Sequence, residues 1–301
     1  MKSTYEMVHK TNYEYSEPVP ICQNELRMRP RPDVGLTRNS CLVKIDPVPE
    51  SLFSYVDYFG NEVDSFAIER PHRSLTVTVN SRVSVIARTD EELGRGPDWR
   101  VIAESVKTSP SEVDRMSGEF TFPSRRIELS SVYADYASSI FQATPNLLEA
   151  TMELTQLIHQ SFQYDTTATG VDTTTEEAFT LKAGVCQDFS HIQIACLRSL
   201  GIPARYVSGY LRTKPPEGKP RLVGADQSHA WISVYAGTQI GWVDFDPTNA
   251  CRTSTDHIPV CVGRDYDDIS PMRGIVLGGG THTLNVSVDV APVTSELEPS
   301  N

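Results

Sequence analysis

Hydrophobic and polar positions alternate with a period of two over most of the first ninety residues. That pattern predicts strands with one buried face. Met1 to Tyr15 alternates, with Tyr5, Met7, Tyr13 and Tyr15 in short runs that Pro18, Pro20, Pro30 and Pro32 punctuate. Cys41 to Ile45 is a further strand. Tyr55 to Phe59, the Gly60-Asn61 turn and Val63 to Glu69 read as a hairpin. Leu75, Val77, Val79, Val83 and Val85 give a long, bulged strand. From 88 to about 128 the chain is polar and rich in Gly and Pro. It reads as a linker or an excursion holding a short helix near Trp99 and Val101.

The period then changes to that of a helix. Tyr133, Ala137 and Ile140 share a face, and Leu147, Leu148, Met152, Leu154, Leu157, Ile158 and Phe162 line a helix from about 146 to 162. Pro145 suits its first turn, with Thr144 as cap. Residues 172–178 carry a capping signature for a short helix. Another helix runs from Cys186 to Leu200 and stops at Gly201-Ile202-Pro203. Strands follow at 204–211, 230–235 and 241–245. Gly278-Gly279-Gly280 marks a tight passage before a last alternating strand, Leu284 to Val290. The fold class is α+β: a β-rich first part, a helical bridge, and a helix preceding an antiparallel sheet.

Composition changes this picture little. The chain has 301 residues and a net charge of -12, from 27 basic and 39 acidic residues. That balance argues against nucleic acid or an anionic membrane as partner and points to a basic or neutral substrate. No apolar run is long enough to span a bilayer, and residues 1–15 carry no signal-peptide core, so a cytoplasmic location is expected. The cysteines, at 22, 41, 186, 196, 251 and 261, show no C-x-x-C spacing and are read as reduced thiols. Oligomeric state is not readable.

Cys186 follows a glycine turn at a helix start. There, unpaired backbone N–H groups and the positive end of the helix dipole favour a thiolate, bringing a thiol from about 8.5 toward roughly 3.5–7.5. The same N–H groups suit an oxyanion. Cys196, on the apolar body of that helix, reads as core. His229 opens a strand and is the candidate base. Trp231 shares its face, packed beside the imidazole or walling the site. Asp244 and Asp246 lie two residues apart on one face of the next strand. Either could orient the imidazole, or cap the Asp246-Pro247-Thr248-Asn249 turn. A metal site built from Cys186, His229, Asp244 and Asp246 is the rival chemistry. It has no tight ligand pair, and His191 is poorly spaced from Cys186. His159 is a helix-boundary residue, and the loop from Pro215 to Leu222 could border a substrate cleft.

The ordered set Gly184-Val185-Cys186-Gln187-Asp188-Phe189, Arg198 to Tyr210, His229-Ala230-Trp231 and Gly241 to Thr248 resembles the transglutaminase-like superfamily of papain-like cysteine enzymes. Tyr13-Glu14-Tyr15, Glu25 to Pro30 and Asp57 to Asn61 are similar to the β-rich N-terminal region of its bacterial members. Gly263-Arg264-Asp265-Tyr266, with Pro271 and Gly274, is similar to the segment after their core. The resemblance implies a β-rich N-terminal domain with extended linker over 1–128 and a catalytic domain with a C-terminal strand over 129–301. It implies Cys186 as nucleophile, His229 as base, Asp246 as orienter and Asp244 as a secondary acidic residue. From the residues, no cofactor and no metal are expected. The expected activity is hydrolysis of peptide or isopeptide bonds in a peptide or protein substrate. The alternatives are transamidation at protein glutamine or a non-catalytic peptide-binding module.

Overall fold

The structure, a computed structural model, describes residues 2–33, 35–86, 90–213 and 227–293. The Pro215 to Leu222 loop and the chain beyond 293 lie outside the described residues. The first part forms β1 (Lys2–Val19), β2 (Ile21–Leu26), β3 (Leu36–Asp46), β4 (Ser51–Val56), β5 (Glu62–Ile68) and β6 (His72–Ile86). The helical stretch holds α1 (Trp99–Thr108), α2 (Glu112–Ser117), α3 (Ser131–Ala143) and α4 (Leu147–Ser161). After β7 (Gln163–Tyr164) come α5 (Thr175–Leu181), β8 (Ala183–Gly184) and α6 (Cys186–Ser199). The chain ends with β9 (Ala204–Leu211), β10 (Gln227–Tyr235), β11 (Trp242–Asp246), β12 (Cys251–Arg252), β13 (His257–Gly263), β14 (Met272–Leu277) and β15 (His282–Pro292).

Three antiparallel sheets result, in the orders β15-β1-β6-β3, β14-β2-β5-β4 and β12-β11-β10-β9-β13. The two last strands therefore return to the first part of the chain: β15 pairs with β1 and β14 with β2. β1 and β6 are long enough to serve two cores. Tyr5 and Met7 of β1, with Val83 and Val85 of β6, pack into the core that contains α6. Tyr15 and Val19, with Leu75, Val77 and Val79, pack against Phe66 and Ile68 of the second sheet. Both sets occupy odd-numbered positions, so one pleated face is shared between two hydrophobic interiors.

α6 lies against β9 and β10 and is buried from Gln187 to Arg198. A helix buried all round must satisfy its own polar side chains. Gln193 donates to Thr155 Oγ1 at 2.7 Å. The Arg198 guanidinium donates to the carbonyls of Ala204, Phe122 and Arg264. His191 accepts the Tyr266 N–H at 3.2 Å, and burial pulls its imidazole down to about 3, so it stays neutral. Cys196 is fully buried, and burial pushes its thiol up to about 12. No helix among the described residues is long and apolar enough to cross a membrane.

Several local expectations need correction. The cap of α4 is Asn146, which accepts from Leu148 N and Glu149 N, and not Thr144, which instead closes α3. The helix near residue 99 is present, but it anchors through Ile102, Ala103 and Val106 while Val101 faces outward. β13 and β14 are additional strands, not among those expected from the sequence.

Candidate active site

Cys186 is the first residue of α6 and is half-buried. The turn leading into it is fixed by Asp188, whose Oδ2 accepts from Val185 N at 2.8 Å and from Thr169 Oγ1 at 2.7 Å. That carboxylate fills the space beside Gly184, where a Cβ would come within 2.5 Å of Asp188 Oδ2. Only glycine fits there, which accounts for the Gly184-Val185-Cys186 order. Ser190 Oγ donates to the Cys186 carbonyl at 2.8 Å, tying down the first helical turn.

His229 lies on β10 opposite Gly209 of β9. Its Nε2 is 2.8 Å from Asp246 Oδ2 at the end of β11. Asp246 is fully buried and accepts five hydrogen bonds. Oδ1 takes Thr248 N at 2.9 Å and Asn249 N at 3.2 Å. Oδ2 takes His229 Nε2, His257 Nε2 at 3.0 Å and Asn249 Nδ2 at 2.7 Å. The turn-capping and histidine-orienting readings of this aspartate are both realised, one on each oxygen. Burial pushes the Asp246 carboxyl up, but hydrogen bonds from His229 and His257 outweigh it and hold the group far below the usual carboxylate range. Burial pulls His229 down, yet hydrogen bonds to Asp246 and Cys186, with both charges, push it up to about 10. With Nε2 committed to Asp246, Nδ1 is the nitrogen left for Cys186.

Asp244 does not join this group. Its Oδ2 accepts from Trp231 Nε1 at 3.1 Å, and the residue borders a separate cleft with Arg205 and Arg252. Trp231 is likewise not a cleft wall. It is fully buried, two residues deeper along β10, with its ring 6.1 Å from that of His229 and edge-on to His257 at 5.4 Å. A side chain added at Gly209 would strike Trp231 Cη2 at 2.4 Å, so the small residue on β9 makes room for the indole. His159 sits outside the site, its Nδ1 2.9 Å from the Thr248 carbonyl.

Cys186 and His229 line one cavity of about 380 Å³. Its far wall comes from the β-rich part and the returning strands: His9, Thr11 and Tyr13 of β1, Met28, Met272 of β14, and Leu284 and Val286 of β15. None of the described side chains lining it is a carboxylate, lysine or arginine. His9 is buried, bonded to Tyr210 Oη at 2.7 Å and Thr11 Oγ1 at 3.0 Å, and burial pulls it down to about 4.

The segment Asp57 to Asn61 clamps this wall to the core. Asn61 Oδ1 accepts from Arg31 Nη1 and Val262 N, while Nδ2 donates to Asp57 Oδ2 and the Val262 carbonyl. Phe59 packs on the Val207–Trp231–Val262 cluster behind the histidines.

His257 went unnoticed in the sequence. The signal available was a histidine opening an Ile258, Val260, Val262 alternation. His229, Asp246 and His257 present nitrogen and oxygen atoms within 4.8 Å of one another, a set that could hold a metal ion. The hydrogen-bond network argues otherwise. His257 Nδ1 accepts the Ser254 N–H at 3.1 Å, which places the ring proton on Nε2, the nitrogen facing Asp246. A metal-bound imidazole offers the reverse arrangement, a bare ligating nitrogen and a donating second one. The trio is a hydrogen-bond cluster.

Residues 5–84 match the bacterial transglutaminase-like N-terminal region, and residues 134–247 match the transglutaminase-like superfamily. An uncharacterized protein of Mycobacterium tuberculosis is 35% identical over 302 residues, covering 96% of this chain and 92% of its own. One of Mycobacterium leprae is 33% identical over 286 residues, covering 94% and 97%. A protein-glutamine gamma-glutamyltransferase of Pseudomonas aeruginosa is 35% identical over 109 residues, 35% of this chain and 16% of that protein. Among solved structures, a Cytophaga hutchinsonii protein described as a candidate cysteine protease superposes with a TM-score of 0.74 at 21% identity, covering 99% of this chain and 93% of the other. That likeness establishes the shared α+β fold.

Proposed function

The chain belongs to the transglutaminase-like superfamily, with the bacterial N-terminal region and a papain-like fold, and from that premise we propose that it is a thiol hydrolase cleaving peptide or isopeptide bonds through Cys186, His229 and Asp246. One observation carries the reading. His229 and Cys186 line one cavity and interact there, while His229 Nε2 is held 2.8 Å from a fully buried carboxylate.

The reaction runs in two halves. The Cys186 thiolate adds to the amide carbonyl carbon, and N–H groups at the start of α6 receive the oxyanion. The imidazolium of His229 gives its proton to the amine as the C–N bond breaks, leaving a thioester on Cys186. His229 then takes a proton from water as the water oxygen adds to the thioester carbonyl. The carboxylic acid leaves and the thiol is restored. Asp246 keeps the His229 ring oriented throughout. The uncharged cavity wall of Met28, Met272, Leu284 and Val286 suits an amide flanked by an apolar side chain.

A primary amine in place of water would give transamidation, the activity named for the Pseudomonas relative. Cys186 keeps solvent access, which favours water as acceptor. Intact mass after incubation with glutamine-containing peptides, with and without a primary amine, separates the readings. Cleavage supports the hydrolase, and an amine adduct at glutamine supports the transamidase. Neither product, with Cys186 slow to alkylate, supports a binding module.

A further inference from the structure

We propose that His257 is a positioning residue of the site: it donates to Asp246 beside His229, so that one carboxylate is oriented by, and shared between, two imidazoles. The inference rests on the Cys186–His229–Asp246 reading and adds to it a residue on a different strand.

The geometry assigns His257 its direction. It is the first residue of β13 and is 5% exposed. Its backbone N–H donates to the Ser254 carbonyl at 3.1 Å, and its Nδ1 accepts the Ser254 N–H at 3.1 Å. A short turn thus fixes both the ring and its tautomer. The remaining nitrogen, Nε2, carries a proton and lies 3.0 Å from Asp246 Oδ2. The edge-on Trp231 ring prevents the imidazole from swinging away.

A carboxylate oxygen that accepts from His229, His257 and Asn249 together has little acceptor strength left for any one of them. Asp246 bound to a single imidazole would hold the His229 cation still more firmly and make it a poorer base in the second half of the reaction. Sharing the charge weakens that hold while preserving the orientation. Among the described residues, the titratable groups facing His229 include Cys186 from α6, Asp246 from β11 and His257 from β13, and Asn249 Nδ2 lies 3.4 Å from its Nε2. On its far side His257 borders a cleft lined by Asp33, Asp244, Arg205 and Arg252.

The test follows the pH dependence of Cys186 carboxymethylation by iodoacetate, read as adduct mass. An anionic reagent reports the imidazolium, so its rate falls on the alkaline side as His229 loses its proton. His257→Phe should move that alkaline limb upward by about one pH unit, the scale of one hydrogen bond to a charged group. His257→Gln, whose Nε2 can donate from nearly the same place, should return it close to wild type. A limb unmoved in folded His257→Phe overturns the proposal. If wild type has no alkaline limb that His229→Gln abolishes, the underlying site reading fails, a result distinct from the first. Should His257→Phe not fold, long-range proton–nitrogen spectra of the wild type decide. A neutral His257 ring protonated at Nε2 supports the proposal, and protonation at Nδ1, or at both nitrogens, overturns it.

Discussion

Asn61 and Val262 are joined by two hydrogen bonds, Asn61 Nδ2 to the Val262 carbonyl at 2.8 Å and Val262 N–H to Asn61 Oδ1 at 2.9 Å. The side-chain amide stands in for a neighbouring strand on β13, the strand that begins with His257. Asn61 is fully buried, so truncation leaves a backbone N–H and a carbonyl without partners. Asn61→Ala should cost about 2–3 kcal/mol of stability. Equilibrium denaturation in urea measures it.

Cys186→Ala should abolish turnover with the fold intact by circular dichroism. Asp246→Asn should retain some activity, falling roughly a hundred- to ten-thousand-fold, because the nucleophile and the helix N-terminus remain while the ring loses its orientation. Turnover of a cleavable peptide by the two variants checks the order. Activity surviving in Cys186→Ala removes the thiol mechanism altogether.

The acid side of the stability profile should follow the buried neutral histidines. His9 sits near 4 and His191 near 3 in the folded chain, against about 6.5 unfolded. Below pH 6.5 the unfolded chain therefore binds more protons, and stability falls as pH drops toward 4. His9→Gln should flatten part of this slope, by up to about 3 kcal/mol. Melting temperatures of both proteins between pH 4 and 7 provide the comparison.

On the alkaline side the sign reverses. His229 is raised to about 10, so the stabilisation from its pairing with Asp246 is complete below about 6.5 and is lost as pH rises toward 10. His229→Gln should be less pH-dependent over that window, again by melting temperature.

Leu284 projects from β15 into the cavity wall and is half-exposed, so a charge there is tolerated by the fold. Leu284→Asp should raise KM about tenfold for substrates with an apolar residue beside the scissile amide. Leu52→Asp, on the exposed face of β4 away from the cavity, should not. Equal effects at both positions would show that the wall does not select substrate.

What the sequence discloses here is what short-range physics encodes. The 3.6-residue period of Leu147, Leu154 and Ile158, the Thr174–Glu177 capping box and the glycine before Cys186 each act within one or two helical turns, and each can be read locally. The convergence of His229 with Asp246 was legible down to two aspartates of equal strand parity. What separates them is the neighbouring indole, since Trp231 Nε1 claims Asp244 and leaves Asp246 to the imidazole. The alternation after His257 marks a strand, but the contact of His257 with Asp246 depends on β13 pairing with β9 across the sheet. The same holds for the cavity wall. Alternation marks Leu284 and Val286 as strand residues, but not that their strand lies against β1 at the opposite end of the chain.

That pairing of the first strand with the last has a consequence for biosynthesis. A ribosome delivers β1 before Cys186, and β15 only after it. Until then the strand bearing His9 lacks one neighbour, and the cavity that contains the thiol lacks the wall carrying Leu284 and Val286. If that wall selects substrate, selection is acquired only after β15 has been made, so a nascent chain would carry the cysteine before it carries the specificity.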